Sequence, residues 1–274
     1  MTDTILVTGA TGNQGGAVVD ALLTHPDRWR IRALTRDPAS PSARALAERG
    51  VEVLKGDLAD PGSLDAALAD AYGVFSVQNS RTAGHKGEVV QGTTLADAAV
   101  RAGVRHFVYT SVGGVERVRG IPHFDTKWEI EQHVRRVGLP YTFLRPTTFT
   151  DVFTTKGAAL GLGMMGAVLG RDRPLQMVAV RDIGVFARME FEDSGRYLGK
   201  EIELAGDELT VPEIAELLGM RRYPKVPKAV LRLLGKESRM LFWFGESGYR
   251  ADVEALRALH PGLLTLKEWL ALSR

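Results

Sequence analysis

The chain has 274 residues, 45% of them hydrophobic, with a net charge of +2 and no cysteine. Length and apolar content fit one large α/β domain, or a domain with a smaller companion. The near balance of charge argues against a nucleic-acid surface, and the lack of cysteine excludes disulfides, thiolate metal centres and a cysteine nucleophile.

Residues 4–20 read as strand, glycine turn and helix. Ile5, Leu6 and Val7 form an apolar run without helical spacing, the pattern of a buried parallel strand. Gly9, Gly12 and Gly15 follow at three-residue intervals, and Ala17, Val18, Ala21 and Leu22 then recur at helical spacing. Gly9 lets the chain leave the strand sharply, Gly12 removes a side chain where a pyrophosphate approaches, and Gly15 lets the helix lie close to the strand. The helix start offers N–H groups and a positive dipole end to phosphate. A glycine turn alone can be only a turn; the strand before it and the helix after it are the context of a dinucleotide site. Because the chain enters this strand almost at once, no signal peptide is expected, and the expected location is cytoplasmic.

Trp29–Thr35 alternates as a second strand and ends in Arg36-Asp37-Pro38. A basic side chain at this strand end suits a 2′-phosphate, an acidic one a 2′-hydroxyl. Arg36 is therefore expected on the 2′-phosphate of NADP(H), with Arg32 as a weaker candidate; the alternative is a solvated Arg36 and a helix-capping Asp37. Residues 43–49 read as a helix and 51–54 as the third strand. Asp57 and Leu58 follow it, Asp57 suited to accept from an adenine amine or to cap a turn. Asp60 and Pro61 open a helix over 61–71, and residues 73–77 form the fourth strand.

Gln78 and Asn79 lie at the carboxyl end of that strand, where ligands bind in open α/β sheets. Residues 80–87 read as a polar, glycine-containing loop in which His85 and Lys86 face solvent or reach a phosphate or substrate, and 88–102 as a long helix. His106–Thr110 is the fifth strand. The next helix runs to Val137 with Asp125 as its cap, and residues 141–144 are the sixth strand. Beyond it, a helix over 180–191 capped by Asp182, a returning strand Glu201–Leu204, a helix over 211–218 and a mostly helical end form a smaller lobe. Met164, Met165, Trp243 and Phe244 line an apolar pocket there or belong to its core. The apolar stretch 157–170 is too short to cross a bilayer, which takes about 20 residues.

The turn Thr-Gly-Ala-Thr-Gly-Asn-Gln-Gly resembles that of the atypical short-chain dehydrogenase/reductases. Together with Thr-Arg-Asp-Pro at 35–38, Lys-Gly-Asp-Leu at 55–58, Phe-Val-Tyr-Thr-Ser-Val-Gly-Gly at 107–114, His-Phe-Asp-Thr-Lys at 123–127 and Leu-Arg-Pro-Thr-Thr-Phe at 144–149, it resembles the NmrA-like proteins over essentially the whole chain. The resemblance implies a doubly wound, mostly parallel Rossmann sheet over residues 1–150. It also implies a smaller, mainly helical lobe over 151–274, from which about 180–205 returns to the core. It implies Gly9, Thr11, Gly12, Asn13, Gln14 and Gly15 on the pyrophosphate and Arg36 on the 2′-phosphate. Asp57 and Leu58 would hold adenine, Gln78, Asn79 and Lys127 the nicotinamide ribose, and Pro146 and Phe149 the nicotinamide.

Active short-chain dehydrogenases carry Tyr-x-x-x-Lys on the helix after the fifth strand; here Lys127 is kept but position 123 is His. Ser111 stands one position before the slot of the carbonyl-polarising serine, which Val112 fills. The incomplete pair favours an NADP(H)-binding sensor that signals to a protein partner; the alternative is an NADPH-dependent reductase of a small apolar quinone or carbonyl compound, with His123 or Lys127 as acid. Neither requires direct nucleic-acid binding or a membrane.

Overall fold

The computed structural model describes residues 2–273. Its strands are β1 (Asp3–Val7), β2 (Trp29–Thr35), β3 (Glu52–Lys55), β4 (Ala71–Ser76), β5 (His106–Thr110), β6 (Tyr141–Pro146), β7 (Thr148–Phe149), β8 (Leu175–Val178), β9 (Glu201–Leu204) and β10 (Asp207–Leu209). The helices are α1 (Asn13–Leu23), α2 (Pro41–Glu48), α3 (Asp65–Leu68), α4 (Ser80–Arg101), α5 (Pro122–Arg136), α6 (Ala158–Leu169), α7 (Val180–Glu192), α8 (Ser194–Tyr197), α9 (Val211–Leu217), α10 (Lys228–Arg232), α11 (Arg239–Glu246), α12 (Val253–Leu259) and α13 (Leu266–Leu272). None of the described helices is long and apolar enough to cross a membrane.

Seven strands form one sheet in the order β3-β2-β1-β4-β5-β6-β9. Every pairing from β3 to β6 is parallel, as the expected doubly wound fold requires. The order reverses between β1 and β4, and the carboxyl ends of these two strands are where such a sheet binds ligands. The chain divides into two compact units, each assembled from separate stretches: 1–111, 125–144 and 183–202 in the first; 112–124, 145–182 and 203–274 in the second.

In the first unit, one sheet face buries Leu6, Val74, Phe107, Tyr109 and Phe143 against Leu95 and Ala99 of α4 and Ile130 and Val134 of α5. On the other face α7 lies so close to α1 that a Cβ at Gly184 would stand 2.1 Å from the Ala17 carbonyl oxygen. Phe191 packs edge-on to Trp29 and His106. Burial lowers the pKa of His106 to about 4, so its imidazole is neutral at neutral pH and shares a 2.8 Å hydrogen bond with the Thr142 hydroxyl.

Several local expectations change. Residues 80–87 are helical, not a loop: the Asn79 carboxamide accepts from the Arg81 N–H at 2.9 Å and starts α4 at Ser80. The helix breaks only at Gly84, where φ is 72° and ψ 166°. The span 61–71 holds a 3-10 turn (Pro61–Ser63) and the short α3, because Ala69 is extended and Asp70 has φ 55°. Ser40, and not Asp37, caps α2, accepting from Ala43. Asp125 lies inside the first turn of α5, which Pro122 opens.

The second unit has its own sheet, β10-β8-β7, antiparallel between β10 and β8 and parallel between β8 and β7. Its aromatic core places Trp243 edge-on to Phe124 and Tyr249, with Phe244 alongside. Asp182 is inside the first turn of α7 rather than before it. Its buried carboxylate accepts from the Leu264 N–H at 3.0 Å, with His260 Nε2 3.8 Å away. Burial raises the Asp182 pKa to about 6, against the opposing pull of that N–H, Arg181 and Arg257. A folded-state value above the unfolded one means that the native state binds the proton more tightly, so this group's stabilisation is lost as pH rises from about 4 to about 6. Urea unfolding at several pH values should show Asp182→Asn gaining roughly 2–3 kcal/mol relative to the parent across that window. A difference that does not change with pH would remove the assignment.

Candidate functional site

The turn between β1 and α1 is built by close approach. Gly9 has φ +60°, and a Cβ there would stand 2.7 Å from Val77 Cγ1. The Gly12 N–H donates to the Gly9 carbonyl at 2.8 Å. A Cβ on Gly15 would stand 2.3 Å from the Gly9 oxygen and 2.7 Å from the Ala10 nitrogen, so the first turn of α1 lies directly on the strand exit. Gly12 is the N-cap of α1; no side chain caps the helix and no acidic residue lies in its first turn. Its N-terminal N–H groups are thus left for an external acceptor, as an anion site needs.

The carboxyl end of β4 is stitched to this turn. The Thr8 hydroxyl donates to the Phe75 carbonyl at 3.1 Å and accepts from the Val77 N–H at 2.9 Å. Gln78 follows, buried, with its amide nitrogen on the Ser76 hydroxyl at 3.0 Å; among the described residues its Oε1 has no partner. Asn79 is exposed, its oxygen engaged by Arg81. The Gln14 side chain accepts from the Thr110 hydroxyl at 2.7 Å, which ties α1 to β5, while Thr11 and Asn13 are exposed. At the end of β5 the Ser111 hydroxyl is buried without a hydrogen-bond partner among the described residues. Buried polar atoms are normally satisfied, and these two orphans lie at the edge of the sheet where such folds bind ligands.

At the end of β2, Arg36 is exposed and makes no hydrogen bond or ion pair among the described residues. Arg32, the weaker candidate, is engaged by other partners: Nε donates to Glu52 at 2.9 Å and the guanidinium also binds the Ala67 and Ala69 carbonyls. Asp57 Oδ1 accepts from the Ala59 N–H at 2.9 Å and its backbone N–H donates to the Ser63 hydroxyl, so the turn-forming role is in place. Leu58 is half-buried against the core.

On α5, Lys127 Nζ donates to Glu88 Oε1 at 3.1 Å, and the Thr126 hydroxyl donates to Glu88 Oε2 at 2.6 Å. Glu88 is 1% exposed. Sequence reading gives no hint of this carboxylate, which meets residues nearly forty positions away. In the second unit, His123 is the second residue of α5, its ring edge-on to Phe124 with the centroids 5.0 Å apart. The buried Pro146 accepts the Gly113 N–H through its carbonyl at 2.9 Å, and Phe149 is half-buried in β7. A cavity of about 240 Å³ in this unit is walled by Leu169, Leu175, Gln176, Glu208, Phe244 and Tyr249 among others. Of the expected pocket residues only Phe244 lines it; Met164 and Met165 do not, and Trp243 is core. No group of three or more metal-ligating side chains occurs among the described residues.

The chain is 34% identical over 261 residues to the (4-alkanoyl-5-oxo-2,5-dihydrofuran-3-yl)methyl phosphate reductase of Streptomyces griseus, covering 94% of this chain and 82% of the relative. Triphenylmethane reductase of Citrobacter sp., solved with NADP(H), superposes with a TM-score of 0.78 at 26% identity, covering 99% of this chain and all of that one. The negative transcriptional regulator NmrA has the same fold, with a TM-score of 0.78 at 20% identity over 98% of this chain and 94% of its own. The model of the NmrA-like family matches residues 1–270, and the chain belongs to that family.

Proposed function

We propose that this chain binds NADP(H) on the turn over residues 9–15 and is a reductase of small apolar carbonyl, enone or quinone compounds. The observation that carries the cofactor reading is the cradle itself: Gly15 has no room for a Cβ, and α1 begins without a side-chain cap. The orphaned Gln78 Oε1 and Ser111 Oγ at the same sheet edge fit a ribose or an amide that brings its own donors. Reduced nicotinamide supplies a hydride equivalent. Reduction of a carbonyl also consumes one proton at oxygen, for which His123 or Lys127 of α5 is the acid, and Lys127 is in addition assigned to the nicotinamide ribose. The likeness over 94% of the chain to a named reductase supports turnover.

A sensor is the second reading, favoured by one observation: His123 and Val112 stand where active short-chain dehydrogenases have Tyr and Ser. Incubating pure protein with NADPH and a panel of quinones, aldehydes and enones separates the two. The reductase reading expects steady loss of NADPH absorbance with at least one acceptor, slowed about a hundredfold or more in Lys127→Ala. Tight NADPH binding without turnover of any acceptor would favour the sensor.

A further inference from the structure

We propose that Glu88 is a positioning residue that holds the Lys127 ammonium in place for the nicotinamide ribose. This inference rests on the assignment of Lys127 to that ribose. Glu88 lies on α4 one turn beyond the break at Gly84 and is 1% exposed. Both of its oxygens are taken by consecutive residues of α5, Oε1 by Lys127 at 3.1 Å and Oε2 by Thr126 at 2.6 Å. The two contacts fix the carboxylate in one plane and direction, and the carboxylate in turn fixes the end of the lysine chain.

Tyr109 on β5 lies beside the pair, and Glu131 on α5 acts on the same phenol. Lys127 Nζ lies 5.8 Å from the centre of the Tyr109 ring. Burial, with Glu88 and Glu131 adding to it, raises the pKa of the Tyr109 phenol well above the usual range, so the phenol stays neutral and presents a ring face to the cation. Glu131 is held by Arg135 at 3.2 Å, one turn along the same helix. The Lys127 ammonium itself meets the Glu88 carboxylate at 3.1 Å.

A buried ion pair is weak support for stability, since apolar side chains of similar volume usually pack as well. What the pair supplies is order. A lysine side chain is long and flexible, and fixing it costs rotamer entropy. Glu88 imposes that loss on folding, before the cofactor arrives. It uses one of the three N–H donors and leaves two for ribose hydroxyls.

The test compares two ligands in five proteins: parent, Glu88→Gln, Glu88→Asp, Lys127→Met and the Glu88→Gln/Lys127→Met double variant. Dissociation constants are measured for NADPH and for 2′,5′-ADP, which lacks the nicotinamide ribose. Glu88→Gln should weaken NADPH about tenfold and leave 2′,5′-ADP within about twofold of the parent. In the Lys127→Met background the same substitution should change NADPH by less than about twofold. Glu88→Asp, which keeps the charge on a chain one methylene shorter, should fall between the parent and Glu88→Gln for NADPH and match the parent for 2′,5′-ADP. The proposal is overturned if the Glu88 variants weaken both ligands alike, if they change neither, or if their effect on NADPH persists without the lysine. Failure of the underlying assignment looks different: Lys127→Met would then bind NADPH as the parent does.

Discussion

Gly15→Ala is expected to abolish measurable NADPH binding and to lower the stability of the protein by about 3 kcal/mol, the upper end of what overpacking costs. The reason is local and rigid. The new methyl would stand 2.3 Å from the Gly9 oxygen and 2.4 Å from its carbonyl carbon, both backbone atoms of the turn. Neither can give way as the end of a flexible side chain can, because the Gly9 oxygen also accepts the Gly12 N–H at 2.8 Å. The first turn of α1 must move off the strand, and its N–H groups move away from the phosphates they face in our reading. For a chain of this size the thermal midpoint should fall by roughly 6–12 °C. A thermal melt with and without NADPH reads both effects at once. A variant that melts like the parent and is still raised by NADPH would show that the turn has slack that the geometry denies.

Arg36→Ala is expected to raise the dissociation constant of NADPH by about tenfold to a hundredfold and to leave that of NADH unchanged. Arg36 follows the last residue of β2 and is exposed, with no partner among the described residues. Asp37, its acidic neighbour, is turned into its own loop, its Oδ1 accepting from the Ala39 N–H at 3.0 Å. A free guanidinium at this strand end suits bidentate contact with a 2′-phosphate, and charge-assisted bonds of that kind contribute about 1.5–3 kcal/mol. Exposure and salt place the effect toward the lower end. Titrating both nucleotides at one fixed ionic strength checks it. Equal affinity of the parent for NADPH and NADH would remove Arg36 from the site.

The parallel sheet and its glycine turn were legible because their signals are short-range. The apolar run at Ile5–Val7 in β1, three glycines at fixed spacing and the helical recurrence after them lie within twenty residues. What the sequence hid was mostly decided at a distance. Arg32 reads along the chain as a second, weaker candidate beside Arg36, but Glu52 and the Ala67 and Ala69 carbonyls at the end of α3 claim it. Residues 80–87 carry two glycines and read as a loop, but one Asn79 cap and the α4 packing beyond carry the helix through, with Gly84 absorbing the break. The strands β7 and β8 have two and four residues, too few for alternation to register, and β8 pairs with both β7 and β10 within the second unit. Asp125 and Asp182 were both expected to cap helices, and both fall inside the first turn, Asp182 drawn instead to Leu264. Glu88 carries no signal in sequence at all, because its role depends on Thr126 and Lys127 of a helix beyond β5.

Hydride transfer from a cofactor held on the opening turn is the centre of this account, and isotopic labelling tests it most directly. NADPH carrying deuterium at the transferred position is incubated with the protein and an acceptor, and the product is weighed by mass spectrometry. One deuterium in the product of the parent reaction, and none with Gly15→Ala, is the result expected. Labelled NADPH recovered intact from every acceptor, or equal transfer in the presence of Gly15→Ala, would contradict it.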